Sequence, residues 1–431
     1  MKIAMMTNNY KPFIGGVPIS IERLSKELHE QGHEVIVFAP EYENQNEQDD
    51  RNNHVLRFKS WKGKINNGAV IPNAFDSKIR KELEKGGYDL IHVHHPMFIG
   101  NAAVHYGKKY GIPVVYTYHT KYEEYLHYID NIKGFENGKV VDFICKIGTK
   151  AVPIYMKHFL KGCYGVIAPS LDICRYVQSL EADVPVHILP TGLDKSSYVN
   201  NENKSKELRE KYLQGRKYLL CTVSRLEIEK NQYYLLHALK ELKERIGDTF
   251  RFVFVGDGSE REALEVYSEE LGIRDNVIFV GAVPNQEVKD YLFASDAFLF
   301  SSKSETQGIV ILEAMAAGLP VIALDATGVR DIVEDGENGY LIQEDGVKVS
   351  TAAYVDKVVS LLYDDDRRKV FAGKAEETAL CYHSFHIAQM AEDFYKTTIE
   401  NSVRREQWKK NGITSLWWRM IRKLDKALKY I

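Results

Sequence analysis

The chain has 431 residues, 44% apolar and 27% charged, which excludes a disordered or fibrous protein. That length holds about two to four domains at ~100–200 residues each. A net charge of −3 provides no global basic field for a nucleic acid.

The charge is unevenly spread. Residues 402–431 carry nine Lys/Arg against two acids, a net of +7 that leaves −10 on the rest, and they hold Trp408, Trp417 and Trp418 of the four tryptophans. Cys145, Cys163, Cys174, Cys221 and Cys381 are scattered with no CxxC pair. That usage fits a reducing cytosol rather than a disulfide framework or a zinc site. The apolar run Ile3 to Thr7 is too short for a signal-peptide core, and Ile309 to Leu324 contains Glu313 and Pro320. Neither spans a membrane, so any membrane contact comes from the side.

In chain order, KIAMMT reads as a strand, Val17 to Gln31 as a helix closed by Gly32, and EVIVFAP as a second strand. VLRF, DLIHVHH and PVVYTYH read as further strands, with helical stretches before and between the last two, and the segments GVIAPS and VHILPTG follow. Continuous apolar strands separated by helices predict a parallel sheet covered on both faces. The polar stretch Lys195 to Arg216 interrupts the pattern, which places the end of a first domain, 1–190, nearby. A second series follows: YLLCTVS, helix 231–246, FRFVFVG, helix 259–271, VIFVG, helix 285–294, AFLFSS, helix 308–317 and PVIAL. It predicts a second doubly wound α/β domain over 191–384, with a ligand cleft at the carboxyl ends of both sheets. Phe385 to Glu400 reads as a helix, and 402–431 as a separate basic tail.

Four features sit where strands end. Gly15-Gly16 precedes a helix start, which suits a phosphate or a simple glycine turn equally. Arg225 and Lys230, after YLLCTVS, suit a diphosphate, or a solvated loop beside Glu227 and Glu229. In ETQGIVILE, Glu305 and Glu313 stand eight residues apart around the helix start at Gln307 and Gly308. Main-chain donors flanked by two hydroxyl-accepting carboxylates describe a nucleotide-sugar site. His119, in YTYHT, ends the last clear strand of the first domain; a lone histidine there is more often structural, but as one of four features converging on one cleft it reads as functional. VGDGSE adds a glycine turn with Gly256, and the DDD run at 364–366 reads as a solvated turn rather than a metal site.

With these residues the chain resembles, over roughly 1–400, the retaining glycosyltransferases of family 4, whose GT-B fold is two Rossmann-like domains. The E-x7-E element carries most of the likeness, supported by the GGV loop, Arg225/Lys230, PTGLD and VGDGSE. The resemblance implies that Gly16 approaches the donor diphosphate and that Arg225 and Lys230 neutralise it. It puts Glu305 on the donor sugar and main-chain groups of Gln307, Gly308, Ile309 and Val310 on phosphate or sugar. Glu313 takes ribose hydroxyls, Val283 the base, and His119 a place beside the sugar, while the segment 385–401 is the helix that returns to the first domain. Thr327-Gly328 departs from the family's usual GG, and no role is carried onto it or Asp331. No metal is needed, since the cations and helix donors meet the leaving-group charge. The UDP-sugar is then a co-substrate.

HVHHPMFIG and YHTKYEEYLHYI narrow the likeness to the bacterial diacylglycerol α-glucosyltransferases. This implies a lipid acceptor at the inner face of the cell membrane, with Tyr122, Glu123, Glu124 and Tyr125 near its entrance, or else as an ordinary helix start. Lys146, Lys150, Lys157 and Lys161, interleaved with apolar residues, suit an anionic membrane surface. So does the tail, where Trp408, Trp417, Trp418, Arg419, Arg422 and Lys423 accompany an apolar stripe at helical spacing. The competing expectations are a soluble or polysaccharide acceptor with a tail packed on the protein, and a non-catalytic nucleotide-sugar-binding module.

Overall fold

The computed structural model describes residues 1–13, 15–64, 70–121, 151–303, 305–343 and 351–404. They fall into two compact units, one of Met1–Gly192 with the chain from Phe385 on, the other of Leu193–Ser384.

The first unit runs β1 (Lys2–Met6), α1 (Gly16–Glu30), β2 (Glu34–Pro40), α2 (Glu47–Asn52), β3 (Val55–Phe58), β4 (Ser60–Lys64), β5 (Val70–Pro72), α3 (Ser77–Glu84) and β6 (Leu90–Val93). There follow α4 (Ile99–Tyr110), β7 (Val114–Thr117), a helix α5 over 151–160, β8 (Gly165–Ala168), α6 (Leu171–Ser179) and β9 (Val186–Ile188). Seven strands form one sheet in the order β3-β2-β1-β6-β7-β8-β9, each neighbour parallel. Strands buried on both faces need apolar side chains at every position, and β1 supplies them. Ala4 and Met6 join one core cluster, Ile3 and Met5 the other.

The second unit contains α7 (Glu202–Leu213), β10 (Tyr218–Val223), α8 (Gln232–Ile246), β11 (Phe250–Val255), α9 (Arg261–Glu270), β12 (Val277–Gly281), α10 (Asn285–Phe293) and β13 (Ala297–Phe300). It ends with α11 (Ile309–Ala316), β14 (Val321–Leu324), β15 (Gly339–Ile342), α12 (Thr351–Leu362) and α13 (Asp365–Cys381). Its six parallel strands are ordered β12-β11-β10-β13-β14-β15. In both sheets the order runs backwards from the first strand, then restarts on its other side. Such sheets bind ligands where the order reverses, between β1 and β6 in one unit and between β10 and β13 in the other.

The last helix, α14 (Ser384–Arg404), belongs to the first unit. Its Ile387, Ala388, Ala391 and Tyr395 complete the cluster that holds Ile3, Met5, Ile21 and Val115.

Some elements differ from the sequence reading. The polar stretch 195–216 is not an interruption but largely α7, capped by Asn201, whose side chain accepts from Lys204 N. Only Ser205, Leu208 and Tyr212 are buried on it, too sparse a stripe to stand out. Arg209 fastens it by a paired contact to Asp296 at 3.1 and 3.0 Å. The DDD run is the start of α13 rather than a turn: Asp364 caps it, accepting from Arg367 N at 2.9 Å, and Asp365 and Asp366 face the positive end of the helix. β15 and the β4–β5 ribbon have no counterpart in the sequence reading.

Tyr354 on α12 is fully buried, and its hydroxyl accepts from Phe300 N at 3.0 Å and donates to Ile322 O at 2.7 Å. Tyr354→Phe leaves those strand ends short of a partner and should cost about 1–3 kcal/mol. A lower urea midpoint with an unchanged slope checks this.

Candidate active site

In the second unit, the loops after β10 and β13 flank the reversal point. Gly256 lets the loop after β11 press beneath the first of them: a Cβ there would lie 1.9 Å from Ser224 O. Arg225 rises from this loop half-exposed, its guanidinium donating to Glu229 at 3.1 Å. The other oxygen of Glu229, Oε2, is buried and without a partner. The Arg225–Glu229 pairing expected of a solvated loop is therefore present, while Glu227 goes to Ser259 instead.

Lys230 turns inward. Its Nζ donates to Glu305 Oε1 at 2.6 Å, with the two side chains 14% and 17% exposed. The contact joins the two loops across the reversal point. Ser301, at the end of β13, steadies it from below, its hydroxyl reaching the carbonyls of Lys230 at 3.1 Å and Asn231 at 2.9 Å. Asn231 returns a bond from Nδ2 to Ser301 O at 3.2 Å while its own backbone is left-handed, φ 58°. Ser301 and Asn231 were missed in the sequence, although SRLEIEKN and AFLFSS contain them.

Glu305 leads into α11, which Gly308 caps. The first N–H groups of any helix lack intrahelical acceptors, so the start at Ile309 and Val310 is a natural anion seat. Gln307 is buried, and Ile309, Val310 and Val283 are half-buried against the apolar cluster below. Glu313 is half-buried on the same helix. Gly328, given no role in the sequence reading, packs on this turn: a Cβ there would stand 2.7 Å from Gln307 N.

In the first unit, the loop after β1 leads to Gly15 and to Gly16, the first residue of α1. Arg57 on β3 anchors it, gripping Asp50 at 2.9 and 2.6 Å and donating to Lys11 O at 2.7 Å and Pro40 O at 2.9 Å. Lys11 also pairs with Glu22 of α1. The loops flanking the reversal point are stitched together, His95 Nδ1 lying 3.2 Å from both Thr7 Oγ1 and Asn8 N, and Asn8 Nδ2 donating to Met97 O at 3.1 Å. His119, just beyond β7, is not isolated: its Nε2 lies 2.9 Å from Nδ1 of His94. Burial keeps this histidine group neutral, pushing His92 down to about 3, His95 to about 4, and His94 and His119 well below the usual range.

Of the residues expected at an acceptor entrance or membrane, Lys157 lies on α5, paired with Glu181 at 3.2 Å, and Lys161 follows it, exposed. Tyr122, Glu123, Glu124, Tyr125, Lys146, Lys150, Trp408, Trp417, Trp418, Arg419, Arg422 and Lys423 lie outside the described residues. No helix among the described residues is long and apolar enough to cross a membrane.

Residues 14–197 match the family description Glycosyltransferase Family 4, and 203–378 match Glycosyl transferases group 1. The chain is 32% identical over 346 residues to an alpha-monoglucosyldiacylglycerol synthase of Streptococcus pneumoniae, covering 79% of this chain and 75% of that one. The chain belongs to the family 4 glycosyltransferases. A synthase of the same name from Acholeplasma laidlawii is 28% identical over 354 residues, 79% of this glycosyltransferase and 84% of that protein. Among solved structures, the Anabaena protein Alr3699/HepE in complex with UDP-glucose covers 92% of this chain and all of its own at a TM-score of 0.69 and 19% identity. That likeness concerns the fold, which is GT-B.

Two outcomes follow from this geometry. Gly328→Ala, forced against Gln307 N at a positive φ of 74°, should displace the turn before α11. Turnover should drop by about 10²-fold, the scale of a misplacement near an ångström. Steady-state kinetics checks it. The buried histidines also make stability depend on pH. Their folded values lie below the unfolded value of about 6.5, so only the unfolded chain takes up protons as pH falls. Their stabilising effect is complete above that pH and is lost below it, at up to about 1.4 kcal/mol per pH unit for each histidine. Urea midpoints of the first unit should accordingly decline from pH 7.5 to 5.

Proposed function

We propose that this glycosyltransferase moves glucose from UDP-glucose to diacylglycerol, with retention, while bound peripherally to an anionic membrane at its cytoplasmic face. The observation that carries the donor half is the Lys230–Glu305 contact beside the start of α11. A lysine held by a carboxylate is already in place and nearly dry, and an arriving diphosphate offers it a more highly charged partner. Glu305, released, can accept from a hydroxyl of the sugar. Departure of the diphosphate leaves positive charge on the anomeric carbon and negative charge on phosphate oxygens. Lys230, Arg225 and the N–H groups at the helix start meet the latter, so it costs little reorganisation. Arg225 exchanges Glu229 for phosphate in the same way. Glu305 binds and steers charge; it is not a nucleophile. His119 stands beside the sugar and Glu313 takes the ribose.

The likeness to two synthases whose name contains diacylglycerol supports a lipid acceptor. The net +7 of residues 402–431 supports an anionic surface.

The test is to offer a panel of UDP-sugars with diacylglycerol in anionic vesicles and identify the product by mass spectrometry. A glucosyl-diacylglycerol is expected; glycosylation of soluble acceptors alone would overturn the lipid reading. Lys230→Ala should lower turnover by about 10²-fold or more, as removal of an electrostatic donor does. In vesicle flotation the whole chain should rise with anionic lipid and a version ending at Val403 should not. If both stay at the bottom, the membrane assignment fails.

A further inference from the structure

Four histidines gather at the carboxyl ends of β6 and β7: His92, His94, His95 and His119. Two of their contacts repeat one cross-strand step. His92 Nε2 meets Thr117 Oγ1 at 2.6 Å, and two residues further along each strand His94 Nδ1 meets His119 Nε2 at 2.9 Å. A step of two keeps side chains on one face of a sheet. The rings of His92 and His94 lie 4.1 Å apart, and those of His94 and His119 stack at 5.2 Å. At the inner end, the hydroxyl of Tyr395 on α14 lies 2.8 Å from His92 Nδ1. The contacts form two hydrogen-bonded groups, Tyr395–His92–Thr117 and His94–His119, joined by the ring contact of His92 with His94.

We infer that His94 is a positioning residue for His119, fixing its proton on Nδ1. The inference rests on the reading that places His119 in the transfer site. His94 is 1% exposed, and its Nε2 is buried with no partner. In a neutral imidazole one nitrogen carries the proton and the other a lone pair. If His94 Nδ1 accepted from His119, its own proton would sit on Nε2 as an orphaned, buried N–H. If Nδ1 donates, only a lone pair is orphaned, the cheaper of the two. His94 therefore donates, His119 Nε2 accepts, and the His119 proton is on Nδ1.

The consequence is chemical. His119 is held as a neutral hydrogen-bond donor at Nδ1. It can orient an oxygen lone pair but cannot take a proton at that atom. The sequence contained this signal only in part, because HVHHP and YTYHT become partners only once β6 and β7 are adjacent.

The test is NMR of the full-length protein with ¹⁵N-labelled histidine, the His119 signals being assigned by their loss in His119→Gln. The wild type should show His119 protonated on Nδ1 alone; a proton on Nε2 overturns the inference without any further variant. His94→Phe keeps the ring volume and removes the donor. It should mix the two tautomers and lower kcat by about 10²-fold, with KM for the UDP-sugar unchanged within about twofold. His94→Asn restores an N–H near the Nδ1 position and should recover about tenfold of that loss. Wild-type kcat and tautomer in His94→Phe overturn the inference, and so does a loss of kcat with the tautomer unchanged. Near-normal turnover in His119→Ala instead overturns the placement of His119 in the transfer site, whatever the His94 variants do.

Discussion

The Lys230–Glu305 contact is the constraint around which the second unit is arranged. Two opposite charges with little access to water are tolerable only when each satisfies the other and the backbone beneath them cannot drift. The surrounding parts supply that rigidity. Ser301 ties the carbonyls behind the lysine, Gly256 admits the supporting loop beneath Ser224, and Gly328 braces the turn that carries Glu305 into α11. The pair spans β10 and β13, adjacent strands from opposite halves of the sheet, so strand order itself brings the two charges together. The same order in the first unit brings together neutral groups. Its reversal point is lined by Thr7, Asn8, His94 and His95, with His119 one strand further on. One sheet plan thus presents fixed charges in one unit and uncharged hydrogen-bonding groups in the other.

Much of this was legible in the sequence because parallel strands, buried on both faces, leave uninterrupted apolar runs. YLLCTVS, FRFVFVG, AFLFSS and PVIAL all became strands, and the loops after them hold the residues singled out by charge and spacing. What was not legible depends on pairing at a distance. α7 is polar because only a narrow stripe of it is covered, and a cap at Asn201 and an arginine clamp to Asp296 hold the rest. Asp364 reads like its neighbours until its bond to Arg367 N is seen. Arg57 looks like a surface residue of a short strand, yet it is buried and anchors the loop that leads to α1. His94 was only a letter in HVHHP. Its importance comes from His119, 25 residues away and one strand across.

The last helix has a consequence for how the molecule is made. Tyr395 and its neighbours on α14 close a core whose other members run from Ile3 and Met5, near the start of the chain, to Ile167 and Leu189. Between Gly192 and Phe385 lies the whole of the other unit, 192 residues. At a synthesis rate of about 5–20 residues per second, those residues alone take some ~10–40 s to emerge. Through that interval the amino-terminal sheet has one apolar face only partly covered, by α1, while Leu193–Ser384 can already be folding. The unit made first is therefore the one finished last, and its open face is the surface a growing chain must keep from aggregating.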